Sequence, residues 1–157
     1  MSRAANSSIR DLDNDGRPDL FVVKFGHSQL FENLGGGKFK DVTKAAGLDR
    51  YSNAITSIAF DYDRDGLVDL FVGSYFQPIN IFQPDSPRFF PESFETANNG
   101  GGVTVFHNNH NGTFTDVTLA AGIARTGWGS GCCVGDYNND GLDDLFVTYW
   151  GDCSLWK

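Results

Sequence analysis

Long apolar runs, positive charges and cysteines are all scarce in this sequence. No segment approaches the ~20 consecutive apolar residues that a membrane-spanning helix needs. Residues 1–6 lack the apolar stretch of a secretory signal, so we expect no signal peptide in this chain. The three cysteines show neither a CxxC spacing nor a Cys/His cluster, which argues against a zinc site built on them. For Cys132, Cys133 and Cys153, buried free thiols and a disulfide that includes Cys153 both stay open.

The scarcity of positive charge excludes one class of partner. The chain has 12 Lys and Arg against 20 Asp and Glu, a net charge of −8, and no basic cluster, so we expect no binding to nucleic acid. More than half of the acidic residues fall within three ten-residue windows. Three bound divalent cations would reduce the net charge to about −2. The uneven distribution of acids therefore indicates a fold that depends on metal ions.

Helical periodicity is missing as well. No segment keeps apolar residues at the 3.6-residue spacing of an amphipathic helix for more than two turns. The sequence is nevertheless 40% hydrophobic and contains 14 phenylalanines, so a packed interior is feasible. The apolar segments are short and rich in Val and Phe, which favours β-strands.

One acidic pattern occurs three times and is the most informative feature of the chain. We call its copies the first, second and third acidic loops, residues 11–19, 61–69 and 136–144. Each copy leads into a run of apolar residues that is typical of a strand buried on both faces. A second block, residues 30–48, recurs as residues 105–123, so the second repeat contains an insertion.

Each repeat is predicted to hold four short strands, which is the structure of a propeller blade. The sequence therefore predicts an all-β fold of β-propeller blades, about two and three-quarters of them, as a partial propeller or a fragment of a larger one. Alone, such a stack exposes sheet edges, so we expect a piece of a longer protein or pairing with other copies. A β-sandwich and a β-solenoid explain the identical loops less well. We place blade 1 at about 6–48, blade 2 at about 54–123 with the insertion 74–104, and incomplete blade 3 at about 129–157.

The acidic loops predict calcium sites. Calcium takes six to eight oxygen ligands at about 2.3–2.6 Å, and alternate positions of a tight loop can direct side-chain oxygens inward. Positions 1, 3, 5 and 9 carry side-chain oxygens, position 7 offers a carbonyl, and the glycine at position 6 permits a sharp turn. We predict about three Ca²⁺ ions, with the ligands Asp11, Asp13, Asp15, Arg17 and Asp19; Asp61, Asp63, Asp65, Leu67 and Asp69; Asp136, Asn138, Asp140, Leu142 and Asp144.

An EF-hand and a turn without a metal are the two other interpretations of these loops. An EF-hand needs a glutamate at position 12, where this chain has Val22, Val72 and Val147. Turns that use Asp and Asn side chains without a metal are possible, but they do not need so many carboxylates. Because Asn138 removes one charge, we expect the third loop to bind calcium most weakly.

The loops resemble the FG-GAP/VCBS repeats of integrin-α-like propellers, and most closely the cartilage acidic protein and ASPIC/UnbV group. Residues 111–118, 120–122 and 127–131 are also similar to segments of that group. The Gly-Ala-Pro of integrin-type repeats is absent, although Phe25-Gly26 and Trp150-Gly151 occupy the Phe-Gly position. The resemblance implies a seven- or eight-bladed propeller, structural calcium, an extracellular or periplasmic location, and adhesion or recognition of a protein or carbohydrate ligand.

Several other residues could carry recognition. The insertion 74–104 holds four of the five prolines and six aromatic residues, so it predicts a long loop that either contacts a partner or packs on the blades. The tryptophans are expected to pack in the core rather than to stack on sugars. A solvated hairpin turn is expected for two histidines, with metal binding or acid–base chemistry as the alternative. The tryptophans are Trp128, Trp150 and Trp156, and the histidines are His107 and His110.

Catalysis is the rival class of function. No Ser/His/Asp or Cys/His arrangement is visible, and the acids are assigned to calcium. We therefore expect no enzymatic activity in this chain. The alternatives are a fragment of a propeller-type polysaccharide lyase or sugar dehydratase, or a structural subunit whose partners are further blades of the same or another chain.

Overall fold

The computed structural model describes residues 4–80, 82–86 and 99–157. These residues form strands, turns and loops, and no helix occurs among them. The strands are β1 (Ala4–Arg10), β2 (Asp19–His27), β3 (Gln29–Gly35), β4 (Lys38–Asp41), β5 (Tyr51–Phe60), β6 (Asp69–Phe76), β7 (Gly100–Asn108), β8 (Phe114–Asp116), β9 (Gly129–Gly135), β10 (Asp144–Tyr149) and β11 (Cys153–Trp156).

The strands form three antiparallel units in chain order. β1 to β4 pair successively and form blade 1, β5 to β8 form blade 2, and β9 to β11 form a three-stranded blade 3. In every blade an acidic loop joins the first strand to the second. This arrangement confirms the predicted all-β fold of partial β-propeller blades, with the last blade ending in its third strand.

Blades 1 and 2 are also connected by backbone pairing, which the repeat pattern did not predict. The end of β2 continues beyond blade 1 and pairs with β5 through Phe25–Asn53, Gly26–Ser52 and His27–Tyr51. The eight strands therefore form one continuous curled sheet. β2 and β5 are nine and ten residues long because they include these additional pairs.

The first strands of the blades lie side by side. β5 contacts both β1 and β9. The hydroxyl groups of Ser8 and Ser57 are 2.9 Å apart, and Thr56 Oγ1 lies 3.4 Å from Cys132 Sγ. All three cysteine thiols are free, but Cys132 is only partly buried and Cys133 and Cys153 are exposed, so the expectation of buried thiols was wrong. The structure therefore does not contain the alternative arrangement, a disulfide that includes Cys153.

The three blades pack against one another through two hydrophobic cores, one between each pair of successive blades. Position 2 of an acidic loop contributes to each: Leu12 is buried in the core between blades 1 and 2, and Tyr62 packs against the core between blades 2 and 3. Each loop is therefore tied to the interface with the following blade. The first core contains Leu12, Phe21, Val23, Leu30, Ala46, Leu48, Ala54, Ala59, Leu70, Val72, Phe106 and Phe114, and the second contains Phe71, Val103, Val105, Ile123, Leu145, Val147 and Tyr149.

Strand β6 confirms the prediction of burial on both faces. Leu70 and Val72 face the first core, whereas Phe71 faces the second and is 0% exposed. The corresponding strand of blade 3 is covered on one side only, because Leu145 and Val147 are buried while Phe146 is 37% exposed.

The ends of the insertion are more regular than predicted. β6 extends to Phe76 and β7 begins at Gly100, so the hairpin of blade 2 continues into both ends of the segment 74–104. A Cβ atom at Gly101 would lie 2.1 Å from the carbonyl oxygen of Phe76, so only glycine permits this pairing. Residues 77–80 and 82–86 form turns and loop, with Phe82 exposed. The aromatic residues Phe89, Phe90 and Phe94 lie outside the described residues.

Candidate metal centres

The three acidic loops share one backbone conformation. Position 6 is a glycine with φ between 82° and 87°, as its predicted role in a sharp turn requires. Position 4 also has positive φ, between 58° and 64°, which the sequence pattern did not reveal because one of the three residues there is an arginine. The residues concerned are Asn14, Arg64 and Asn139 at position 4 and Gly16, Gly66 and Gly141 at position 6.

The carboxylates at positions 1, 3 and 5 converge. Oxygens of Asp11, Asp13 and Asp15 lie within 4.8 Å of one another, and so do oxygens of Asp61, Asp63 and Asp65. Backbone N–H groups of the loop fix this arrangement. The N–H of position 6 donates to the position 1 carboxylate at 2.7–3.0 Å, and the N–H of position 7 donates to position 5 at 2.8 Å.

The third loop repeats this geometry with an amide at position 3. Asp140 N–H donates to Asp136 Oδ1 at 3.1 Å, and the side chain of Asn138 donates to Asp140 Oδ2 at 2.8 Å. This side-chain hydrogen bond, followed by the one from the Leu142 N–H, lowers the pKa of Asp140. The amide thus relieves part of the repulsion between carboxylates that the other loops contain.

Position 9 has a different environment from the other acidic positions because it is buried. Asp69 Oδ2 accepts the N–H of Tyr62 at 3.1 Å, and its Oδ1 accepts the N–H of Asn108 at 2.8 Å. Asp19 makes the same two bonds to Leu12 and Asn33. This aspartate therefore joins its loop to the third strand of the same blade.

The position 9 aspartate of blade 3 is only partly satisfied. Asp144 Oδ2 accepts the N–H of Tyr137 at 2.9 Å. Its Oδ1 is buried and has no hydrogen-bond partner among the described residues. By the repeat alignment, the residue equivalent to Asn33 and Asn108 would follow Lys157.

Burial and neighbouring negative charges raise the pKa of one carboxyl group in each of the first two loops. Burial, followed by the neighbouring charge of Asp19, raises the pKa of Asp13. Burial raises the pKa of Asp69 to about 6, against the lowering effect of its two backbone hydrogen bonds. A bound cation would favour the ionised form of both groups, because an opposite charge nearby stabilises a carboxylate.

The structure thus brings together part of each predicted ligand set. Positions 1, 3 and 5 cluster in the first two loops, and Asp69 joins Asp63 in a second group of the second loop. Asp19 is held beneath its loop by the two backbone donors. The carbonyls of Arg17, Leu67 and Leu142 stay predicted ligands. Arg17 also forms an ion pair with Asp15.

His107 is the residue that the sequence pattern placed wrongly. It lies in β7 rather than in the hairpin turn, and its Nδ1 atom is 3.3 Å from Asp63 Oδ2. The repeat alignment contained the signal, since Glu32 in β3 occupies the equivalent position in blade 1. His110 does lie in the turn, with φ of 65°.

The residue equivalent to His107 in the repeat alignment differs in every blade. It is Glu32 in blade 1, where it pairs with Lys40 at 3.2 Å, and His107 in blade 2. In blade 3 it is Lys157, whose ammonium lies 5.1 Å from the ring centroid of Tyr137. The second and third loops, which share one backbone conformation, are therefore flanked by an imidazole and an ammonium group.

The aromatic candidates divide between core and surface. Trp128 is buried, packs edge-on against Tyr75 and Phe76, and donates its indole N–H to Asn99 at 2.7 Å. Trp156 is partly buried against the second core, and Trp150 is exposed. The expectation of core packing is thus confirmed for two of the three tryptophans.

Comparison with known protein families places the chain. The family model described as FG-GAP-like repeat matches residues 11–72 and 94–147, which include all three acidic loops. A search of curated proteins found no match. Among the described residues, no helix is long and apolar enough to cross a membrane. The matched residues cover well over half of the sequence, so the chain belongs to the FG-GAP-like repeat family and forms a β-propeller module of that type.

Proposed function

We propose that the chain is a calcium-binding propeller module that recognises a protein or carbohydrate ligand. The observation that carries the calcium assignment is the convergence of carboxylate oxygens from positions 1, 3 and 5 on one shared backbone. These are hard oxygen ligands, which calcium prefers, and their mutual repulsion without a cation would be unfavourable.

Calcium is proposed to act structurally, through the interfaces between blades. Leu12 at position 2 of the first loop is buried in the core between blades 1 and 2, and Tyr62 packs against the next core. Asn108 also donates to the carbonyl of Leu12 at 2.7 Å, a bond between blades. Fixing a loop with a cation would therefore fix the surface on which the following blade packs.

Recognition and location rest on the family. FG-GAP repeats are typically extracellular and generally non-catalytic interaction modules. We propose an extracellular or periplasmic module without catalytic activity, of the ASPIC/UnbV type. We propose blade boundaries at about 6–48, 54–123 and 129–157, with β1 and β5 beginning at Ala4 and Tyr51, slightly before the first two of these ranges.

The exposed face of blade 3 supports further blades as one kind of partner. Phe146 is 37% exposed, whereas its equivalents Phe21 and Phe71 are 1% and 0% exposed beneath the next blade. Tyr137 is also exposed, unlike its equivalent Leu12. We propose that another blade, of the same or another chain, covers this face.

Substitution of Asp13 tests the calcium assignment. Asp13→Ala removes one oxygen ligand of the first loop and also relieves repulsion from Asp11, Asp15 and Asp19. In EDTA the variant should melt at or slightly above the temperature of the unaltered chain. In calcium at about 100 times the dissociation constant, it should lose up to about 2.7 kcal/mol of binding-derived stability.

Asp143→Ala is the matched control, because Asp143 is an exposed aspartate at position 8 of the third loop. It should leave the melting temperature unchanged in both buffers. Equal destabilisation by Asp13→Ala with and without calcium would show that Asp13 is a turn residue, and the calcium proposal would then fail.

A further inference from the structure

The second acidic loop differs from the others because an imidazole faces it. His107 Nδ1 lies 3.3 Å from Asp63 Oδ2 and 3.4 Å from Asp69 Oδ1. Its Nε2 atom lies 4.0 Å from Asp65 Oδ2. One ligand atom from each of Asp63, Asp69 and His107 thus falls within a sphere that one ion can fill, since all three lie within 4.8 Å of one another.

Two buried side-chain atoms at the second acidic loop, one from the loop and one from β7, lack a hydrogen bond. They are His107 Nδ1 and Asp61 Oδ1, which have no hydrogen-bond partner among the described residues. In the first and third loops the counterparts of Asp61 Oδ1 each accept the N–H of position 5 at 3.1 Å. Buried polar atoms are normally satisfied by protein, water or an ion, so the two unpaired atoms beside Asp63 indicate a bound group at this loop.

The geometry and the donor atoms point to a transition metal. Ligands at about 2.0–2.1 Å from a tetrahedral zinc ion lie about 3.3–3.4 Å apart, which equals the separations of Nδ1 from the two carboxylates. Imidazole nitrogen is a ligand for zinc and similar ions, whereas calcium takes oxygen. We propose that Asp63, Asp69 and His107 form a site for a divalent transition metal, represented by zinc.

The surrounding contacts orient these ligands. Both oxygens of Asp69 are held by backbone N–H groups, and the ring of Tyr62 packs edge-on against His107 at 6.2 Å. A neutral imidazole with its hydrogen on Nε2 would direct that N–H toward Asp65 and leave the Nδ1 lone pair for the metal. Such outer contacts fix the orientation and tautomer of a metal-binding histidine.

This inference rests on the proposed cation binding by the acidic loops, and it makes the second loop the one that prefers a transition metal to calcium. The residue equivalent to His107 in blade 1 is Glu32, which offers carboxylate oxygen instead of imidazole nitrogen. Lys157 places an ammonium beside the third loop. Selectivity for zinc over calcium should therefore be confined to the second loop.

The test is a titration of the whole chain with zinc, in the presence of excess calcium, in which calorimetry measures zinc binding. We expect one zinc ion to bind to the unaltered chain. His107→Gln should weaken that binding by at least about 100-fold, since even outer contacts of a metal site are worth 10–100-fold. His27→Gln is the control, because that imidazole pairs with Asp49 on the surface. His107→Glu, which copies blade 1, should also lose zinc binding but keep calcium binding.

A spectroscopic measurement keeps the test independent of how the variants fold. The chain has three histidines, so nuclear magnetic resonance of histidine labelled with ¹⁵N can follow each imidazole separately. Cobalt(II) added to the unaltered chain should displace the signals of His107 strongly, with smaller changes at His27 and His110.

The outcomes separate this inference from the calcium proposal. Calcium binding without zinc binding would overturn the transition-metal site alone. Zinc binding of equal affinity in His107→Gln would also overturn it, because the ion would then lie elsewhere, for example on a thiol. Binding of neither ion would overturn both proposals.

Discussion

Blades 2 and 3 contain the same acidic loop but place it in different surroundings. Both loops have positive φ at positions 4 and 6, and both use the position 9 aspartate to hold the position 2 N–H. In blade 2 the following strand is buried on both faces and the loop meets His107. In blade 3 one face is exposed and the loop lies near Lys157.

This comparison shows that local sequence and distant neighbours control different properties. The loop backbone follows from nine consecutive residues, since it is the same in all three blades. Stability and cation preference depend on residues 38 to 44 positions away, such as His107 and Asn108 beside Asp63 and Asp69. The predictions below test this division by equivalent substitutions in the two blades.

The largest difference is expected for the phenylalanine that follows each loop. Phe71→Ala removes a fully buried ring from the second core and should cost about 3–5 kcal/mol. Phe146→Ala removes a ring that is 37% exposed and should cost about 1–2 kcal/mol in this chain. Urea denaturation in EDTA measures both. Equal losses would contradict the one-sided burial of blade 3.

The second largest difference in stability loss is expected for the buried aspartates at position 9. Asp69→Ala leaves the N–H groups of Tyr62 and Asn108 without an acceptor and should cost about 3 kcal/mol in EDTA, since each buried unpaired donor costs about 1–3 kcal/mol. Asp144→Ala frees only the N–H of Tyr137 and should cost about half as much. If Asp144→Ala proved the more harmful, its Oδ1 would have a partner in solution.

The asparagines of the third strands extend the comparison to blade 1. Asn108 is buried and donates to the carbonyls of Leu12 and Val68, whereas Asn33 donates to Pro18 alone and is more exposed. We expect a loss of about 2–3 kcal/mol for Asn108→Ala and about 1 kcal/mol for Asn33→Ala. Thermal unfolding in EDTA distinguishes them, and similar losses would mean that the bond between blades contributes nothing.

The smallest effect is expected at position 4. Arg64 has φ of 64°, a conformation that asparagine tolerates better than arginine, and Asn139 occupies the same position in the third loop. Arg64→Asn should therefore raise the free energy of unfolding by about 0.5 kcal/mol, and Asn139→Arg should lower it by a similar amount. A gain in both variants, or a loss in both, would exclude backbone strain as the cause.

The features that were predicted correctly from the sequence are those that recur in every repeat. The fold, the strand after each loop and the role of Gly66 follow from short patterns, and the structure agrees with them. The burial of Asp69 was not predicted, because its partner Asn108 is distant in sequence. The position of His107 was wrong because a turn was inferred from neighbouring asparagines, although alignment with Glu32 placed it on a strand. The β2–β5 pairing leaves no local pattern at all.

Calcium titration of the unaltered chain tests the central claim most directly, with a melting curve in calcium and another in EDTA. The account predicts about three bound ions, the weakest in the third loop, and a clear rise in melting temperature with calcium. Each site at a 100-fold excess of calcium over its dissociation constant would add about 2.7 kcal/mol. No heat of binding and identical melting curves would show that the loops are turns without a metal.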